Sequence, residues 1–128
     1  MPRPILATIH LEALKHNLVN VRRYISANLS LHETAPSIWA VIKANAYGHG
    51  IENAVLAFAQ ADGLAMLDFD EAARCRAVGW CKPLLMLEGF FQAADLHEVE
   101  RLTLTPVVHR FDQIQWLGQH MFFRPIDV

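Results

Sequence analysis

Five short apolar segments recur along the chain at near-regular intervals. They are Ser37 to Lys43 (SIWAVIK), Gly63 to Leu67 (GLAML), Pro83 to Leu87 (PLLML), Leu104 to Val108 (LTPVV) and a closing PIDV. Their starts, near residues 38, 64, 84, 104 and 126, lie 20 to 26 residues apart. A nearly continuous apolar run of this length, without polar alternation, reads as a strand buried on both faces, as in a parallel sheet. The stretches between them carry helical signals. Ile51, Ala54, Val55, Phe58 and Ala59 follow helical spacing. Asp68, with Glu71 three residues on, looks like a capping box, and Gly79 ends that helix. Ala93, Leu96 and Val99 mark another helix, and Asp112 caps a last one through Ile114 and Leu117. Regular βαβα alternation of this kind predicts an α/β fold with a parallel sheet and helices outside.

Two architectures satisfy that pattern. A doubly wound sheet is disfavoured, because no glycine-rich dinucleotide loop follows any strand. The other is the (β/α)8 TIM-type barrel, which needs about 250 residues. The 128 residues here hold about four and a half βα units. Residues 1–128 therefore read as an incomplete, N-terminal half-barrel. Pro106 weakens the fourth strand. Upstream, PILATIH (residues 4–10) reads as a further strand. Leu11, Leu14, Leu18, Val21 and Ile25, spaced three and four apart, form the apolar face of a helix.

Composition removes several classes of function. Hydrophobic residues make up 53% and charged residues 19%, with a net charge of -2. No basic cluster exceeds a pair such as Arg22-Arg23, so no nucleic-acid partner is expected. No apolar run approaches the roughly 18 residues of a membrane span. The opening residues lack a secretory pattern, and a cytoplasmic protein is expected. Cys75 and Cys81 have neither redox nor zinc spacing and are expected to be reduced and structural. The seven histidines are scattered, with no metal-binding spacing among them.

Lys43 is the residue that needs explaining. It ends an apolar strand, whereas Lys15 and Lys82, the other two lysines, fall where solvent is expected. A lysine at a strand end can simply snorkel, its stem along apolar surface and its ammonium in water. In barrels, however, the chemistry sits at the C-terminal ends of strands. Desolvation there favours the neutral amine, a nucleophile that forms a Schiff base with an aldehyde cofactor. Pyridoxal phosphate (PLP) is such a cofactor, and it brings a phosphate that must be held. The residues after Lys43 suit that task. Ala44 and Ala46 are small, and Tyr47 carries a hydroxyl four residues on. Gly48 and Gly50 permit a tight turn into the next helix.

The string AVIKANAYGHG (residues 40 to 50) resembles the PLP-lysine motif of bacterial alanine racemases. RPILATIHLEALKHNL resembles that family's opening strand and first helix. PLLMLEGFFQAADL is similar to its third barrel strand and following helix, in the form seen in the catabolic type of the enzyme. The resemblance covers nearly all 128 residues. It implies that Lys43 holds PLP and serves as one of two catalytic bases, that Tyr47 binds the cofactor phosphate, and that Leu87 lines the pocket. It implies racemisation of alanine, supplying D-alanine for peptidoglycan, by a homodimer. The family's second base is a tyrosine of the partner subunit's C-terminal domain. Tyr24 and Tyr47, the only tyrosines here, do not match it. The family's arginine to the pyridine nitrogen and its fifth-strand lysine and arginine also have no counterpart in these residues. The 128-residue chain alone is accordingly expected to be inactive. Three other readings stand beside this one: a non-catalytic PLP-binding or subunit-association fragment, a racemase of a related amino acid, and a barrel relative acting in cofactor homeostasis or decarboxylation.

Overall fold

The computed structural model describes residues 3–30 and 34–128. Four strands form one sheet: β1 (Trp39–Val41), β2 (Gly63–Met66), β3 (Leu84–Met86) and β4 (Thr105–Pro106). Their spatial order is β1-β2-β3-β4, and every neighbouring pair is parallel. Helices α1 (Leu11–Ala27), α2 (Ile51–Ala57), α3 (Phe69–Ala77), α4 (Leu96–Leu102, entered by a 3-10 turn over Ala93–Asp95) and α5 (Phe111–Gln119) complete the described chain. A doubly wound sheet reverses its strand order at a switch point. Here the order never reverses, so the sheet is an arc of a singly wound barrel, as the sequence predicted.

Register and side-chain parity give the arc two unlike faces. Leu64 pairs with Leu84 and Met66 with Met86. These four residues have no exposed surface, and they share a core with Ile51 and Ala54 of α2, Ala72 and Cys75 of α3, and Leu96 and Val99 of α4. The alternate residues Trp39, Val41, Gly63, Ala65, Leu85 and Thr105 share the other face. At its edge Trp39 is 37% and Val41 41% exposed. The expectation that Ser37 to Lys43 is buried on both faces is thus corrected. β1 is an edge strand and this face is open there, whereas Gly63 and Ala65 of β2 on the same face are buried.

Other elements also differ from their sequence reading. Residues 4–10 form no strand, and Ile5 and Leu6 are each 89% exposed. An extended segment becomes a strand only beside a partner that takes its backbone hydrogen bonds, and residues 4–10 lie outside the described sheet. Helix α1 forms where expected, but only Leu18 of its apolar stripe is fully buried and Val21 is 49% exposed. PIDV is not a strand among the described residues. Asp112 does not cap α5. The cap position is Arg110, and the buried Gln113 does the work, its Oε1 accepting the N–H groups of His109 and Arg110 while its Nε2 donates to the Phe90 carbonyl. A helix end needs an acceptor for its free N–H groups, and a side chain one turn in can supply it as well as a cap residue. Asp112, inside the first turn, pairs with the Arg110 guanidinium and accepts the Gln113 N–H at 3.0 Å.

Arg76 ties the helix ends to the strand starts. Its guanidinium donates to the carbonyls of Trp80, Lys82, Leu102 and Thr103. Asp62 does the same on the other side of the arc. Its Oδ2 accepts the Ile38 N–H at 2.7 Å and the Arg22 guanidinium at 3.0 Å, joining α1, the entry to β1 and the entry to β2. The Ile38 N–H, and then Arg22, hold the Asp62 carboxyl below its ordinary value of 3.8. A carboxylate with a depressed folded-state pKa stabilises above its unfolded value and loses that contribution as pH falls through the folded value. We therefore expect Asp62→Asn to lower the urea midpoint at neutral pH. The gap from the native chain should close as pH drops below 3.8. A gap that persisted in acid would overturn this assignment.

Candidate active site

The C-terminal end of β1 runs directly into an unusual piece of backbone. Ile42 still belongs to the ladder, donating its N–H to the Ala65 carbonyl at 2.8 Å. Beyond Lys43, four consecutive non-glycine residues are left-handed: Ala44, Asn45, Ala46 and Tyr47, with φ of 54, 52, 53 and 54°. Gly48 follows at 87° and Gly50 at 92°. The left-handed region costs an L-residue roughly 1–2 kcal/mol, and Asn tolerates it best. The surroundings must therefore hold this turn in place. Ala46 donates to the Ile42 carbonyl at 2.8 Å, His49 to Ala46 at 3.0 Å, and Gly50 to Asn45 at 2.9 Å. Asn45 Oδ1 accepts the Ile51 N–H at 3.2 Å, closing the turn onto the start of α2. From α3, Glu71 Oε1 accepts the Asn45 N–H. The Ala46 side chain is buried in the core. His49 Nδ1 lies 2.8 Å from the Ala46 carbonyl, and since a carbonyl can only accept, that nitrogen carries the hydrogen.

The three lysines are differently committed. Lys15 pairs with Glu12. Lys82 donates to the Ala59 and Ala61 carbonyls and lies over the Trp80 ring. Among the described residues, nothing bonds to the half-buried Lys43 Nζ or to the Tyr47 hydroxyl. Tyr47 is 60% exposed. An amine and a phenol, both without a bonded partner among the described residues, thus belong to one turn at the C-terminal end of a barrel strand. That pair suits a ligand with an aldehyde and an anionic group: the amine for covalent attachment, the phenol for an oxyanion.

Leu87 belongs to the same edge. Its N–H donates to the Met66 carbonyl at 2.9 Å, which carries the ladder one residue past β3. Extending the register, Lys43, Leu67, Leu87 and Val107 stand at one level across the arc. Two strand spacings separate Lys43 from Leu87, roughly 10 Å. Leu87 is half-buried and offers an apolar wall rather than a contact to the amine. Behind the turn lies a cavity of about 150 Å³, lined by Val41, Ala46, Tyr47 and His49 together with Leu14 and Phe58. Among the described residues no group of three or more His, Cys, Asp or Glu is arranged to hold a metal, and no helix is long and apolar enough to cross a membrane. Cys75 and Cys81 are both free thiols, and burial pushes the Cys75 thiol up to about 11.

Sequence reasoning passed over Asn45 and Glu71. The tolerance of Asn for left-handed backbone was a usable signal for the first. Glu71 was hidden by its place three residues after Asp68, where a capping box explained it locally. The turn also reverses a familiar substitution effect. In a helix Ala→Gly destabilises by about 0.5–1 kcal/mol. At the exposed Ala44, relief of left-handed strain should outweigh that entropy, and Ala44→Gly is expected to stabilise by about 0.5–1 kcal/mol in urea unfolding. Destabilisation by Ala44→Gly would show that Ala44 is not left-handed in solution.

Comparison with known proteins places this geometry. The family model described as alanine racemase, N-terminal domain, matches residues 9–128. The chain is 55% identical to an alanine racemase of Bordetella petrii over 129 aligned residues, covering all of this chain and 34% of that protein. It is 54% identical to one of Leptothrix cholodnii, covering 98% of this chain and 31% of the relative. Among solved structures, the biosynthetic alanine racemase of Pseudomonas aeruginosa superposes with a TM-score of 0.82 at 32% identity, over 98% of this chain and 33% of that one. The chain thus spans about a third of the length of the relatives it matches. By the family model and by these relatives, the chain belongs to the alanine racemase family and matches its N-terminal domain.

Proposed function

We propose that this chain carries the cofactor lysine of a PLP-dependent alanine racemase. The observation that supports it most is the uncommitted Lys43 amine at the end of β1, held beside Tyr47 by a strained left-handed turn. The residues present fit PLP by their chemistry: an amine for the aldehyde, a phenol for the phosphate, and Leu87 as an apolar wall. When bound, PLP supplies an electron sink that makes the α-proton of an amino acid removable. Lys43 Nζ would hold the cofactor through its aldehyde, and as a free amine it would take or return a proton on one face of the substrate α-carbon. The Tyr47 hydroxyl would donate to a phosphate oxygen and so help to orient the cofactor. Interconversion of L- and D-alanine would supply D-alanine for peptidoglycan, in the cytoplasm.

Racemisation needs a proton-transfer group on each face. This domain offers one. Tyr24 lies on α1 and is 73% exposed, and Tyr47 is assigned to the phosphate in this reading. The resemblance puts the second base on the partner subunit of a homodimer. The same observation supports a second reading, in which these residues bind PLP, or associate with another subunit, without turning substrate over.

Borohydride reduction of the chain after incubation with PLP, followed by proteolysis and mass spectrometry, tests the cofactor assignment. A pyridoxyl mass on the Lys43 peptide is expected, and none from Lys43→Ala. No adduct from folded chain overturns the PLP reading. Tyr47→Phe should raise the PLP concentration for half-labelling about tenfold, the size of one hydrogen bond to a charged group. Racemisation by the 128 residues alone should not exceed that of Lys43→Ala. Turnover above that level would show that a second base is already present.

A further inference from the structure

Glu71 lies in the first turn of α3, three residues after the cap Asp68. A glutamate there usually reaches back to the cap N–H. Asp68 does its own part, accepting the Asp70 N–H at 2.7 Å. Glu71 does not return that bond. Its Oε1 instead accepts the N–H of Asn45, 26 residues earlier and inside the left-handed turn. Its Oε2 is buried with no hydrogen-bond partner among the described residues. Forgoing the local partner and burying an unpaired oxygen are both departures from local rules, and such departures gather at functional sites.

Asn45 is the knot of the turn. Its carbonyl accepts from Gly48 at 3.1 Å and from Gly50 at 2.9 Å, and its Oδ1 accepts from Ile51 at 3.2 Å. Its N–H is the one that Glu71 holds. Among the described residues, Glu71 is the only side chain of another strand or helix that hydrogen-bonds residues 42–47, while Asn45 uses its own side chain to reach the start of α2. We infer that Glu71 and Asn45 are positioning residues for Lys43 and Tyr47. The Glu71 carboxylate pins the middle of the strained turn to α3. The amine before it and the phenol at its end then keep one separation, suited to a ligand that spans both. The cofactor half of this inference rests on the PLP reading above; the clamp on the turn does not.

The test compares Glu71→Ala, Glu71→Asp and Glu71→Gln by amide hydrogen exchange of residues 43–48 without PLP, by the PLP concentration for half-maximal trapped adduct on Lys43, and by melting temperature. In Glu71→Ala and Glu71→Asp, where the acceptor is gone or too short, the Asn45 amide should exchange about tenfold faster and half-labelling should need roughly five to ten times more PLP. The melting temperature should move by only a few degrees, on the order of one hydrogen bond. Glu71→Gln keeps an acceptor oxygen and should return both readouts to within about twofold of the native chain. A purely structural glutamate would lower the melting temperature and spare the labelling concentration of folded protein. The inference is overturned if Glu71→Ala leaves both exchange and labelling unchanged, or if Glu71→Gln is as impaired as Glu71→Ala. Should Glu71→Ala fail to fold, Glu71→Asp takes its place, and native-like labelling there overturns the inference equally. If the native chain itself forms no adduct, the PLP reading fails, while hydrogen exchange still decides whether Glu71 clamps the turn.

Discussion

Side chains alternate across a strand, and in a level parallel sheet that alternation is carried from one strand to the next. Leu64, Met66, Leu84 and Met86 consequently meet the helices, while Trp39, Val41, Ala65 and Leu85 fall on the opposite face. The helical layer can form only because β2 and β3 present a continuous apolar surface to it. The same parity places Lys43, two residues beyond Val41, on the level of Leu67 and Leu87. Site and core thus follow from one register. A slip of one residue in β1 would exchange Ile42 with Lys43 between the faces and lose both.

The turn after β1 works against this economy. Four adjacent left-handed residues are unfavourable in themselves, and most sequences would relax out of them. Three devices oppose that. Local backbone bonds close the turn on itself, buried Ala46 anchors it in the core, and Glu71 holds it from α3. Strain stored next to a reactive side chain is a common feature of ligand clamps, where the surrounding fold over-determines the backbone. In this domain the strained residues run from just after the Lys43 amine to the Tyr47 phenol.

Much of this architecture was legible in the sequence. Four of the five apolar segments became strands, and their even spacing anticipated the unreversed strand order. The KANAYGHG string carried the lysine, the tyrosine and the two glycines with positive φ. Boundary and exposure errors had a shared cause. PILATIH has strand character but no ladder partner in the described sheet, and Val21 has helical phase but lies off the contact with α2. Gln113 and Glu71 both lie three residues after a cap. Gln113 reaches back to the free N–H groups of its own helix, while Glu71 serves the turn after β1.

The sequence by itself determined the βα rhythm, the buried composition of β2 and β3, and the placing of a lysine at the end of the first strand ahead of a small-residue, glycine-rich turn. Those are properties of short windows, in which periodicity, turn residues and a motif can be read directly. Tertiary structure decided which face of β1 is open, that Ala44 to Tyr47 turn left-handed, and that Glu71 serves that turn rather than its own helix. Each of these depends on what arrives from another part of the chain. A backbone conformation that is locally unfavourable becomes readable only when the distant group that holds it is in place.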